Sequence, residues 1–195
     1  MFAMMKDLPG ALFLLLCSFQ LVAAFAWDGM NGRASMGSLI AGLSQIEAKG
    51  PSASGSWSKY LDIQDPDKIS NLTIVSAAGK RQSPLFYINQ EQLYLLVNET
   101  TVYPVNVQNS TAYHDLPMQL VLGDKRDGIT TGKWFWKTTQ LYYELPGGKS
   151  NDGLYFKCLT ESGWFNVFMS NVGVMPPHGC SYMSLHSFIR DTKKR

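Results

Sequence analysis

Beyond about residue 60 the chain alternates between apolar and polar positions in short runs, and turn residues interrupt it every 8–12 positions. Leu72-Thr-Ile-Val-Ser is β-branched, while Leu85-Phe-Tyr-Ile and Leu93-Tyr-Leu-Leu-Val97 flank a hairpin-sized gap, "NQEQ". Thr101 to Val107 alternates around Pro104, which points to an edge strand because proline cannot donate to a ladder. Met118 to Leu122 precedes the charged turn "GDKRDG". Lys133-Trp-Phe-Trp-Lys137 and Gln140-Leu-Tyr-Tyr-Glu-Leu145 follow, then Leu154 to Leu159, Trp164 to Met169 and Ser181 to Ser187. Short strands at this spacing, with no helical pattern among them, predict an all-β fold over residues 60–190. The expected architecture is one antiparallel β-sandwich or barrel-like domain, with a β-trefoil as the alternative.

The first 59 residues differ in texture. Lys6, the apolar stretch from Leu8 to Phe19 and the small residues Ala24 and Ala26 predict a signal peptide over 1–26. An uncleaved anchor is disfavoured by Pro9, Ser18 and Gln20, which interrupt the apolar run, so no stable membrane insertion is expected after cleavage. Residues 27–59 form a Ser/Gly/Ala-rich extension that ends in "GPSASGSWS" and reads as flexible. Met36, Leu39, Ile40, Leu43 and Ile46 fall at helical spacing inside it, so a short amphipathic helix over 35–49 is the competing expectation. Residues 191–195 read as a solvated basic tail.

Removing the signal leaves about 170 residues, enough for one domain with its own core. The net charge of +2 gives no electrostatic case for binding nucleic acid. The dibasic pairs Lys80-Arg81 and Lys125-Arg126 read as exposed turn charges rather than processing sites. Asn71, Asn98 and Asn109 each open an N-glycosylation sequon, and Asn98 and Asn109 are expected at exposed turns. With Cys17 in the signal, Cys158 and Cys180 remain as an even pair. In a secreted chain that favours a disulfide over free thiols or a metal site.

Catalytic chemistry finds little support. Glu91, Glu99, Asp115, Asp124, Asp127, Glu144, Asp152 and Glu161 sit mostly in turn-like stretches, and no pair stands out as facing carboxylates. There is no G-x-S-x-G elbow, and His114, His178 and His186 show no convergent motif. No catalytic residue, metal site or cofactor is therefore assigned. Aromatic residues carry the better hint. Trp134 and Trp136 share one strand face, and Tyr142 and Tyr143 follow on the next strand. These four are the candidate sugar-contacting residues, set against a reading in which they pack the core.

"NLTIVSAAG" from Asn71, "FYIN" from Phe86 and "LYFKCLTESGWFNVFMSNVGVMPPHGCSYMSL" from Leu154 resemble the small secreted fungal cell-wall proteins related to PhiA. Within the last block, Tyr155 and Phe156 with Cys158, Trp164 with Val167, Pro176-Pro177 and Cys180 are similar to that family's late pattern. The resemblance covers roughly residues 71–188. It implies a secreted, glycosylated, all-β wall protein with a role in spore-bearing-cell development and no assigned catalytic residues. Residues and resemblance together predict a non-enzymatic extracellular or cell-wall protein with either a structural role or a polysaccharide-binding one, for which the candidate partner is wall polysaccharide. A small secreted glycan hydrolase, or an effector binding a host protein, is the alternative.

Overall fold

The structure is a computed structural model, and it describes residues 42–50, 58–65, 69–76, 83–98, 100–108, 118–170, 173 and 175–188. The expected signal peptide, the tail and Asn109 lie outside these residues. Twelve strands and no helix occur among them: β1 (Gln45–Lys49), β2 (Lys59–Ile63), β3 (Leu72–Ser76), β4 (Leu85–Asn89), β5 (Gln92–Asn98), β6 (Thr101–Val107), β7 (Leu120–Leu122), β8 (Lys133–Lys137), β9 (Gln140–Glu144), β10 (Leu154–Leu159), β11 (Phe165–Met169) and β12 (Cys180–Phe188).

Six of these strands close an antiparallel barrel in the order β1-β2-β3-β11-β10-β12, with β12 returning to β1. Full closure removes the exposed edges that an open sheet would present. The hairpin β8–β9 extends from β12 through the pair His186↔Gln140. Strands β4-β5-β6-β7 form a second sheet. The barrel is thus assembled from the first three and the last three strands. A trefoil would instead repeat one strand motif three times around an axis, and this connectivity does not.

Two expectations about the N-terminal region need correction. The β domain begins before residue 60, since β1 lies inside the presumed flexible extension. Residues 45–49, placed in the competing helix, are extended and pair with β12 from Gln45↔Phe188 to Lys49↔Ser184. Ile46 is fully buried by this pairing, so its apolar side chain serves a barrel wall rather than a helix face. Pro104 is not on an edge strand either, because β6 lies between β5 and β7. It is tolerated because it pairs with Tyr94 just before the stretch Val105–Val107 that meets β7.

One continuous core runs through both sheets. Ile46, Leu61, Leu72, Ile74, Tyr155, Val167, Met169, Met183 and Leu185 fill the barrel. Phe86, Leu93, Leu95, Val105, Val107, Leu120 and Leu122 line the inner face of the second sheet and belong to the same cluster. Burying a side chain of this kind stabilises by about 1.5–3 kcal/mol. Cys158 and Cys180 are direct cross-strand partners on β10 and β12, and they form the expected disulfide with a Cα–Cα distance of 4.1 Å. The "PPHGC" stretch is the turn that makes this register possible. Cys180 N donates to Pro177 O at 3.0 Å, and Gly179 takes φ +81°, where a residue with a Cβ is strained.

Candidate functional site on the β8–β9 hairpin

Register assigns the two faces of the aromatic hairpin. Trp134↔Tyr143 and Trp136↔Leu141 lie on one face, and Phe135↔Tyr142 lies on the other. The first face is in the core. Trp134 and Tyr143 are 2% and 1% exposed, and their rings meet at 4.7 Å in a tilted contact. Trp136 is partly buried and packs against the same cluster. The expectation that Trp134, Trp136 and Tyr143 contact sugar is therefore corrected: they anchor the hairpin, and the competing core reading holds for them. Tyr142 alone of the four is on the outward face.

The inner face is also pinned by polar contacts. Tyr143 Oη donates to Ile129 O at 3.0 Å, and burial pushes the Tyr143 hydroxyl pKa up to about 12. Asn151 is fully buried, and its Oδ1 accepts from Tyr143 N at 2.9 Å and from Gly153 N at 3.1 Å. Gly132 lies so close to the Tyr143 hydroxyl that an added Cβ would overlap it. At the far side, Glu91 O accepts from Trp134 N at 2.8 Å, and the Glu91 carboxylate pairs with Lys133 at 3.0 Å. That carboxylate, chiefly through its hydrogen bond, raises the Lys133 pKa.

The outward face thus rests on a fixed base. Phe135, 37% exposed, and half-buried Tyr142 lie nearly parallel, with centroids 5.5 Å apart and planes 21° apart. Lys137 Nζ sits 5.7 Å from the Tyr142 centroid, within cation–π range. Parallel rings held by a rigid ladder present an apolar surface to which the C–H face of a sugar ring is complementary, with the lysine available to sugar hydroxyls. Phe135 is not among the four candidates, although its alternation with Trp134 and Trp136 puts it on the face opposite them. Tyr87 and Tyr94 form a second such pair across β4 and β5, also 5.5 Å and 21° apart, on the face opposite buried Phe86 and Leu95. Burial, and then Tyr94, raises the Tyr87 hydroxyl pKa.

The other named residues are dispersed. Asn98 is exposed at the end of β5, where its Oδ1 accepts from Thr100 N and from Thr100 Oγ1, both at 3.0 Å. Asn71 is half-buried and bridges to Val121. His186 lies on the outer wall of the barrel, with Ser184 Oγ 2.9 Å from its Nε2 and Thr139 Oγ1 3.2 Å from its Nδ1. Burial, and then the Lys49 charge, lowers the His186 pKa. This hydroxyl–imidazole pair has nucleophile–base spacing. Ser184 is paired in the ladder with Lys49 on one side and Leu154 on the other, which commits the local backbone donors to strands rather than to an oxyanion. Among the described residues no group of three or more His, Cys, Asp or Glu side chains is arranged to hold a metal.

No protein family, curated protein or solved structure matches the chain.

Proposed function

We propose that the protein is a secreted, glycosylated, non-enzymatic component of a cell wall or extracellular matrix, and that it holds polysaccharide on the outward face of hairpin β8–β9. The observation that carries this reading is the outward-facing Phe135–Tyr142 ring pair, exposed at Phe135, half-buried at Tyr142 and nearly parallel, above an inner face locked by Trp134 and Tyr143. The disulfide is compatible with an extracellular protein, since such pairs persist in oxidising compartments. The sequons, the N-terminal apolar run and the resemblance to fungal PhiA-related wall proteins support the same reading. The test is depletion of the purified mature protein from solution by insoluble chitin, β-glucan and mannan. Saturable depletion by one polymer is expected, and no depletion by any of them would remove the polysaccharide role.

A second reading, a small secreted hydrolase that removes ester groups from a wall glycan, is favoured by the Ser184–His186 contact alone, since a hydroxyl activated by imidazole attacks acyl carbonyls rather than glycosidic bonds. Release of the acid from an acylated wall glycan by the purified protein, abolished in Ser184→Ala, would replace binding with catalysis.

A further inference from the structure

The outward face of the hairpin continues onto the wall of the barrel. β12 carries β10 and β9 in succession along one edge, with Leu154 opposite Ser184 and Gln140 opposite His186. Paired residues point to the same side of a sheet, and alternate residues along a strand share that side. Tyr155, Met183 and Leu185 are in the core, so Leu154, Ser184 and His186 face outward. Lys137 pairs with Gln140, and Phe135 with Tyr142 two residues along, so these four share the outward side. Gln140 is the corner of this face. Both β9 and β10 run antiparallel to β12, so Tyr142 and Leu154 are displaced from Gln140 in the same direction. Each displacement is two residues, about 7 Å. The corner is fixed by Gln140 Nε2, which donates to Gly153 O, next to Leu154, at 3.0 Å.

Three kinds of contact therefore meet in a small area. Phe135 and Tyr142 supply the ring pair, and Leu154, 37% exposed, supplies an aliphatic surface beside it. Polar contacts come from exposed Thr139 and half-buried Ser184, whose hydroxyl oxygens lie 3.2 and 2.9 Å from the two nitrogens of His186. In either tautomer of the neutral imidazole, each hydroxyl oxygen keeps a lone pair for a ligand donor. Lys137 has no carboxylate partner among the described residues, so its ammonium is available to a ligand carbonyl. A bare pyranose would use the ring pair and the hydroxyls and leave Leu154 in water. An acetamido substituent adds an N–H donor for a hydroxyl oxygen, a carbonyl for the ammonium and a methyl group for the leucine. An acetyl ester would lack the N–H.

We infer that this face selects an N-acetylated amino sugar, with the pyranose ring on Phe135 and Tyr142 and the acetamido methyl against Leu154. Leu154, Thr139 and Lys137 are then specificity-determining residues of the surface. The inference rests on the reading of the hairpin as a polysaccharide site. It narrows that reading to polymers of the chitin type, in preference to unsubstituted glucan or mannan.

The experiment is calorimetric titration of the intact mature protein with chitohexaose, cellohexaose and the hexamer of glucosamine. The three share one backbone and differ at a single ring substituent, which is acetamido, hydroxyl or amine. Chitohexaose should bind about tenfold more tightly than the other two, the discrimination that one well-placed apolar group supplies. Leu154→Ala should bring chitohexaose down to the cellohexaose value and leave cellohexaose unchanged. Thr139→Val, which removes the hydroxyl and keeps the shape, should also weaken chitohexaose. Leu159→Ala, at the other end of β10 and likewise exposed, should change neither. Equal affinity for chitohexaose and cellohexaose would overturn the inference and leave the polysaccharide reading standing. A preference that survives in both folded variants, Leu154→Ala and Thr139→Val, would overturn it as well. So would tightest binding of the glucosamine hexamer, which would point to the carboxylates of Glu91 and Glu144 instead. Binding of none of the hexamers would overturn it too, while retention on insoluble polymer would still uphold the broader reading.

Discussion

The two faces of hairpin β8–β9 are built from the same chemistry and have opposite fates. Trp134 and Tyr143 are cross-strand neighbours, as are Phe135 and Tyr142 in the next row of the ladder. The first pair is buried and tilted at 60°, with its hydroxyl donating to Ile129 O. The second faces outward, exposed at Phe135 and half-buried at Tyr142, nearly parallel, with Lys137 over the Tyr142 ring. Aromatic content alone therefore does not mark a binding surface. In the proposed function it is instead a solvent-facing ring pair, on a ladder whose other face is already fixed, that marks one.

The comparison breaks most directly at the buried face. Trp134→Ala removes a fully packed ring, and large-to-small core changes of this kind cost about 3–5 kcal/mol. Phe135→Ala should stay within about 0.5–1 kcal/mol, since it vacates solvent-facing surface. Urea unfolding of the two variants measures both, and equal losses would erase the distinction between the faces.

Replacing both Cys158 and Cys180 by serine should cost about 3 kcal/mol, from the entropy released when the closed loop opens in the unfolded chain. The disulfide lies on the barrel, between β10 and β12, and not under the hairpin. The variant should melt earlier yet retain polysaccharide as before at a temperature where it is folded. Lost retention in the folded variant would show that the hairpin surface depends on the barrel wall.

A smaller effect concerns the joint between hairpin and barrel. There Ser187 N donates to Thr139 O at 2.7 Å, and His186 Nδ1 meets Thr139 Oγ1. The groups facing His186 are Glu47 and Lys49 on β1, Thr139 in the turn and Ser184 on its own strand. Its folded pKa lies below the ordinary value of 6.5, so the unfolded chain binds the proton more readily. Stability therefore rises with pH between the two values and is lost on acidification from 7 towards 5. His186→Gln should flatten that part of the pH–stability curve, measured by denaturant midpoint, and an unchanged slope would assign the dependence elsewhere.

The strands from β3 onward were legible as short β-branched, apolar or alternating runs between turn signals, as in "LTIVS" or "KWFWK". The disulfide was legible from the even number of cysteines left after the expected signal peptide. β1 was not, because "QIEAK" offers a single large apolar residue at the end of a helically spaced run. Its strand character comes from pairing with β12, more than a hundred residues away in sequence. Closure of the barrel is hidden for the same reason, since no local pattern encodes the meeting of β1 with β12 or of Thr73 with Asn166. At the candidate site, alternation correctly placed both tryptophans on one face. It could not say which face is inside, because aromatic residues occupy both and burial is decided by the elements that pack on top.

The most direct test is retention of the Phe135→Ala/Tyr142→Ala variant on whichever of chitin, β-glucan or mannan depletes the unaltered protein. Loss of most of the retention, with the unfolding midpoint essentially unchanged, is the predicted result. Full retention by the folded double variant would contradict the claim that this face of the hairpin holds the polysaccharide.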